Sequence, residues 1–250
     1  LTTSVLQSHP EWDVFKTFNL DMEELKTKLS LQREIKQPDE YKLIQQACGY
    51  TCDAIQHTMD NCKKGMSEIQ LVGLFRYALS THDIELLAFS PIVSHDKFNQ
   101  DLHHIPQTDK VKKNSLILMD VGCKYNQYCS DITRCFPVGL KFTKIQTDVY
   151  RVVETTLTTV LDALRPCVSW KQLSKLCRLH LVNECIKLKL VEDTEDESTK
   201  LEVSYVLMPH SLGHHVGLDY HDCGPIDTLK AGMVLAIEPG LYFQDHATHP

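Results

Sequence analysis

Helical and strand-like spacings of apolar residues alternate in blocks along this chain, and the blocks predict its elements. From Pro38 the apolar positions Leu43, Ile44, Ala47, Ala54, Ile55 and Met59 recur at helical spacing. Pro38, Asp39 and Glu40 suit a first turn, and Gly65 ends the run. A second helix is predicted from Ser67, with Ile69, Leu71, Val72, Phe75 and Leu79 as its buried stripe. Residues 84–93 read as a strand leading into a polar loop that holds His95, His103 and His104. Strand-like runs follow at 116–119 and 132–138. Helical spacing returns at 143–164, with Val149, Val152, Val153, Leu157, Val160 and Leu161 on one side, and Pro166 stops it. Another helix, 169–188, turns Leu173, Leu176, Leu179 and Ile186 inward. The acidic segment 192–202 has the composition of a solvated loop, and 205–221 and 232–243 read as strand and loop.

Ahead of these blocks, Trp12, Val14, Phe15 and Phe18 form an apolar-aromatic patch, followed by a charged helical stretch at 22–31. Residues 1–37 thus read as a lead-in or the remnant of a preceding domain. The order helices, strands, helices, strands predicts an α+β architecture of two similar halves around a shared sheet.

Within it, residues 116–138 read as a hairpin, with Tyr125-Asn126 at the most turn-prone point. With those two residues at the centre of a tight loop, Asp120 and Asp131 become cross-strand partners, their Cβ atoms about 4.5–5.5 Å apart. Carboxylates that close repel, and a metal ion between them relieves the repulsion. A surface hairpin with two solvated aspartates is the alternative.

Further on, residues 210–221 pack four histidines (His210, His214, His215 and His221) into twelve positions. Pro209, Gly213 and Gly217 disfavour a helix there, so a strand or loop entering a site fits better. In a strand His214 shares a face with His210, and His221 joins them only if the chain bends near Gly217. Glu238 ends the apolar run 233–237 just before a Pro-Gly turn, where it needs a partner; a salt bridge at a sheet edge is the simpler reading of that residue alone. Together, two aspartates, a glutamate and at least one histidine make an oxygen-rich set that suits Mn²⁺, Fe²⁺, Co²⁺ or Zn²⁺. Paired metals about 3.5–4 Å apart activate water and polarise carbonyls, which is hydrolytic chemistry.

Composition narrows the classes. At 250 residues, 42% hydrophobic and 24% charged, the chain has the make-up of a soluble globular protein with a substantial core. A formal net charge of −7 speaks against nucleic acid or an anionic membrane as the main partner. No apolar run approaches the roughly 18 residues of a membrane span. Ten cysteines scattered through predicted helices and strands point to a reduced, intracellular protein rather than a disulfide framework. The chain begins at Leu1, which suggests a processed or partial protein.

Several segments in order resemble the aminopeptidase P and prolidase branch of the pita-bread metallopeptidases. They are Asp120-Val121-Gly122, Ser130-Asp131-Ile132-Thr133-Arg134, the histidine-rich stretch 209–222, and Gly232-Met233 with Ile237-Glu238-Pro239-Gly240-Leu241-Tyr242. The wording at 86–91 and 130–138 is most similar to mitochondrial-type Xaa-Pro aminopeptidases. The likeness runs from about Glu34 onward, dividing the chain into a lead-in, 1–33, and a C-terminally incomplete pita-bread catalytic domain, 34–250.

That resemblance implies two pseudo-symmetric halves around a curved, mainly antiparallel sheet. It implies that Asp120 chelates one metal, Asp131 bridges two, and His214 and Glu238 hold the second, with manganese the usual ion. It also implies that Glu238 takes a proton, and that His103, His210 and His221 orient the substrate and stabilise the oxyanion. His104 and His215 receive no role. The implied reaction removes an N-terminal residue that precedes proline, and an Xaa-Pro dipeptidase, an inactive peptidase-like binding module and a metal-independent amidinohydrolase are the alternatives. The implied location is mitochondrial or cytoplasmic, and a homodimer is a further expectation. The family's fifth ligand, a glutamate on the next strand, and a nearby arginine would fall beyond Pro250. Ser211 stands where glycine is usual.

Overall fold

A computed structural model describes residues 22–243. The predicted patch from Trp12 to Phe18 lies outside them. In order, the elements are α1 (Met22–Glu34), α2 (Pro38–Asn61), α3 (Glu68–Ser80), β1 (Ile92–His95), β2 (Leu116–Val121), β3 (Lys124–Tyr125), β4 (Tyr128–Cys129), β5 (Ile132–Pro137), α4 (Lys144–Ala163), α5 (Trp170–Lys187), α6 (Glu197–Leu207), β6 (Gly213–His215) and β7 (Leu235–Ile237). Every ladder is antiparallel: β1–β2–β5, β3–β4 and β6–β7.

Two cores account for the two halves. The first joins Ala47, Ala54 and Ile55 of α2 and Leu71, Phe75 and Leu79 of α3 to Ile117, Met119 and Phe136 of the sheet. The second packs Val152 and Val160 of α4 and Leu173, Cys177 and Leu181 of α5 with Met208 and Leu212. Each large side chain buried this way contributes about 1.5–3 kcal/mol. Where the halves meet, Ala88, Cys129 and Val216 form a small third cluster with Phe89, Val234 and Ala236. The Cys129 N–H donates to the Gly217 carbonyl at 2.7 Å across this junction.

Helix starts follow local chemistry. The Ser67 hydroxyl accepts from the Gln70 N–H at 3.2 Å, and the Gln37 N–H donates to Glu40 at 2.7 Å at the start of α2. Several expectations need correction. Of the predicted strand 84–93 only Ile92 and Val93 are strand, which runs on through His95, because Pro91 cannot donate to a ladder and the stretch before it makes a single bridge at Leu87. Much of the acidic segment is helical: Asp196 accepts from the Thr199 N–H at 2.8 Å and starts α6, which runs through Leu207 where strand and loop were expected. Ile69, placed in the α3 stripe, is 50% exposed, and Glu68 is buried instead. Leu161 and Leu176 also face outward; Val152, Thr156 and Val160 line the inner side of α4, and the Thr156 hydroxyl donates to the Val152 carbonyl at 2.7 Å.

The hairpin exists, in a different register. Asn126 and Gln127, with φ of 45° and 73°, form the turn, and the pairs are Tyr125↔Tyr128, Val121↔Ile132 and Asp120↔Thr133. Asparagine tolerates the left-handed region far better than tyrosine, which moves the centre one residue on and each partner by two. Asp120 therefore faces Thr133 and not Asp131. A shift by an even number leaves Asp131 on the same face, so the two aspartates are diagonal neighbours. Burial alternates along β2, with Ile117, Met119 and Val121 in the core, and this turns Asp120 to the other side. Between the two short ladders Gly122 is required, since a Cβ there would lie 2.0 Å from the Ser130 carbonyl oxygen.

Candidate metal centre

Four side chains from four places in the sequence converge where the halves join. Asp120 ends β2 and Asp131 precedes β5. His214 is the middle residue of β6, paired with Ala236; Glu238, two residues past Ala236, shares its face. The Glu238 N–H donates to the Leu212 carbonyl at 2.9 Å, fixing the chain as it leaves β7.

Nε2 of His214 lies 3.5 Å from Oδ2 of Asp131 and 3.6 Å from Oε1 of Glu238. Its Nδ1 is 3.1 Å from the His215 carbonyl oxygen. A carbonyl only accepts, so Nδ1 carries a proton and Nε2 is the ring nitrogen turned to the carboxylates, the orientation a metal ligand needs.

Burial raises the proton affinity of all three acids, and Asp120 adds to it at the other two. Burial, then the charges of Asp120 and Glu238, push Asp131 up to about 8. Burial, then Asp120, push Glu238 up to about 7. Burial also raises Asp120, against the hydrogen bonds of Thr133 and Asp131 and the charge of His214. Oδ1 of Asp120 is buried without a hydrogen-bond partner. Three crowded carboxyls, an orphaned oxygen and an imidazole nitrogen fit a divalent cation. The four surround a common space rather than one point: among the described residues no three His, Cys, Asp or Glu are yet drawn in to metal-ligand spacing.

The other predicted residues divide. His221 joins the cluster, its ring centroid 4.0 Å from that of His214, so the chain does bend near Gly217. Burial, then His214, lower its pKa. His210 is held by Nδ1–H to the Ser211 carbonyl at 2.7 Å, and its Nε2 accepts from the Tyr242 hydroxyl at 3.1 Å. Burial, then the Arg178 charge acting against the Ser211 bond, keeps this ring neutral to lower pH. His103 is exposed, its N–H donating to Asp101 at 3.1 Å, and no contact among the described residues joins it to the four.

Sequence reasoning missed the supports. Arg178, buried in α5, donates to the Met208 and His210 carbonyls, both at 2.9 Å, and stacks on Tyr205 at 3.9 Å. Nothing in the α5 sequence marks it. His104, left without a role, donates to the buried Glu68 carboxylate at 2.7 Å, as His95 does at 2.6 Å.

Two α+β halves with this acid-histidine cluster at their junction define a pita-bread metallopeptidase. The model of metallopeptidase family M24 matches residues 42–248, and the chain belongs to that family. It is 32% identical over 223 residues to the Xaa-Pro aminopeptidase of Escherichia coli K12, covering 87% of this chain and 51% of that protein. It is 30% identical over 245 residues to a probable Xaa-Pro aminopeptidase of Phaeosphaeria nodorum, covering 91% and 31% respectively. Among solved structures, it resembles E. coli aminopeptidase P with the inhibitor Pro-Leu at a TM-score of 0.84 and 31% identity, over 90% of this chain and 52% of that one. The zinc-substituted form of that enzyme with product gives 0.82 and 32%, over 88% and 51%. The chain thus spans about half the length of these E. coli relatives, and less of the fungal one.

Proposed function

We propose that this chain carries most of the metal centre of an aminopeptidase that releases an N-terminal residue preceding proline. The observation that carries the reading is His214 Nε2 lying 3.5 Å from Asp131 and 3.6 Å from Glu238, which, with Asp120, share one crowded space. Family membership implies divalent metal ions. Manganese is the ion proposed, with cobalt, zinc or iron able to use the same donors.

Asp120 and Asp131 hold one ion, and Asp131, His214 and Glu238 the other. The ions these residues would hold would supply Lewis acidity toward the peptide carbonyl and a water. Glu238 is the carboxylate placed to take a proton from the attacking water and return it to the leaving amine. His221, packed on His214, stabilises developing negative charge, and His210, whose two ring nitrogens are engaged by Ser211 and Tyr242, orients the substrate, with His103 assisting from its loop. Residues 34–250 form the catalytic domain. The substrate is a peptide with proline second, the protein is a homodimer, and its location is mitochondrial or cytoplasmic. Ten unpaired cysteines support a reducing compartment. No helix among the described residues is long and apolar enough to cross a membrane.

The test is release of the first residue from an Xaa-Pro peptide by the full-length protein in Mn²⁺, and its loss in Asp131→Asn. Absence of turnover with every divalent metal tried overturns the reading.

A further inference from the structure

Behind the histidine-rich loop lies a buried ion pair that metal ligation does not explain. Lys36, 4% exposed, and Asp222, 8% exposed, meet with Nζ 2.8 Å from Oδ2. Charges withdrawn this far from water need several partners, and both have them. Lys36 Nζ also donates to the Arg33 carbonyl at 2.8 Å. Asp222 Oδ1 accepts from the Arg33 guanidinium, and from the Asp219 N–H at 3.2 Å. At Gly217 a Cβ would lie 2.5 Å from Asp222 Oδ2 and 2.9 Å from Lys36 Cε, so the loop passes closer to the pair than any side chain permits.

Two hydrogen bonds connect this pair to the candidate ligands. The Asp222 N–H donates to the His215 carbonyl at 3.1 Å. That same oxygen accepts from Nδ1 of His214, also at 3.1 Å. Where it sits therefore decides which His214 nitrogen carries the proton and where Nε2 points, and Asp222 fixes where it sits. Asp222 also follows His221 directly, whose ring packs on His214. A buried ion pair adds little stability over apolar residues of the same volume, so sealing the fold is a weak reason for two charges here. Setting the geometry of a ligand is a stronger one.

We propose that Lys36 and Asp222 are positioning residues: through the His215 carbonyl they aim His214 Nε2 at Asp131 and Glu238, and they hold His221 against that ring. Residues 33–36, at the edge of the lead-in, thereby contribute to the site. The proposal rests on reading His214 as a metal ligand, and its test separates the two.

In the full-length protein, Lys36→Met and Asp222→Asn are made singly and together. Nitrogen–proton NMR of the histidine rings reads the His214 tautomer without metal, and calorimetric titration with Mn²⁺ reads affinity. Wild type is expected to show the Nδ1–H tautomer and the variants a mixture, with Mn²⁺ affinity about 10–100-fold lower. The double variant loses no more than the weaker single one. Asp222→Asn keeps the side-chain shape and tests the same link if Lys36→Met does not fold. Variants that melt earlier yet keep the wild-type tautomer and Mn²⁺ affinity overturn the proposal, leaving the pair a seal. If wild type binds no Mn²⁺ while the tautomer still follows Lys36, the metal reading fails and the positioning role stands.

Discussion

Nε2 of His214 lies 3.5 Å from Oδ2 of Asp131, and this contact joins a strand of the second half to the hairpin of the first. Substitution of either residue is expected to act on the other. His214→Ala, which leaves three acids with no imidazole, is expected to weaken Mn²⁺ binding by at least the 10–100-fold, roughly, that outer-shell partners are worth. Calorimetric titration measures it, and an affinity equal to wild type would remove His214 from the ligand set.

The acids give the metal-free protein a characteristic pH dependence. Asp131, at about 8, and Glu238, at about 7, sit above the ordinary carboxylate range of about 4. A raised pKa contributes stability that is fully present below the unfolded value and is lost as pH rises through the folded one. The metal-free thermal midpoint is therefore expected to fall between about pH 4 and about pH 8. The gap between metal-loaded and metal-free midpoints widens over the same range, because metal replaces the protons. Scanning calorimetry in chelator and in Mn²⁺ checks both; a metal-free midpoint that climbs across this window contradicts the assignment.

Asp222 has the opposite sign. Burial pushes its carboxyl up, but the hydrogen bond and charge of Lys36, with Asp219 and Arg33, outweigh this and hold it below its usual range. Its contribution is present above the unfolded value and is lost as pH falls through the folded one. Asp222→Ala, which strands Lys36 in the interior, is expected to cost about 3–5 kcal/mol at neutral pH and to flatten the acid limb below about pH 4. Urea unfolding across pH measures both effects.

Gly122 tests the hairpin. An added Cβ 2.0 Å from the Ser130 carbonyl forces the strands apart between Asp120 and Asp131. Gly122→Ala is expected to destabilise by about 1–3 kcal/mol, and Mn²⁺ affinity should fall with it. A variant as stable as wild type would mean that the strands separate at no cost.

Glu68 ties down the segment that carries His103. Its buried carboxylate accepts from His95 Nδ1 at 2.6 Å, His104 Nε2 at 2.7 Å and the Gln107 N–H at 2.8 Å. Glu68→Leu removes all three acceptor contacts and is expected to cost at least about 1–3 kcal/mol, with faster amide exchange across residues 96–107. Unchanged exchange there would show that the segment is held by other contacts.

Local chemistry determined much of this in the sequence. Ser67 and Pro38 mark helix starts through groups within three residues of themselves, and the alternation along β2 sends Asp120 away from the core whatever follows. Two aspartates, a glutamate and at least one histidine could be grouped because those residue types together suit one chemistry, and the family resemblance singled out His214 among the four histidines. What escaped depended on partners distant in the chain. The hairpin register turned on which residue adopts a left-handed conformation, Asn126 rather than Tyr125. Burial of Glu68 in place of Ile69 required two histidines from a loop to supply N–H groups. Only tertiary packing brought His214 to Asp131, Arg178 to the His210 carbonyl and Lys36 to Asp222. A sequence states which groups need compensation; where the compensating charge, donor or lone pair lies is settled by folding, since Coulombic and hydrogen-bond energies depend on distance in space and not on separation along the chain.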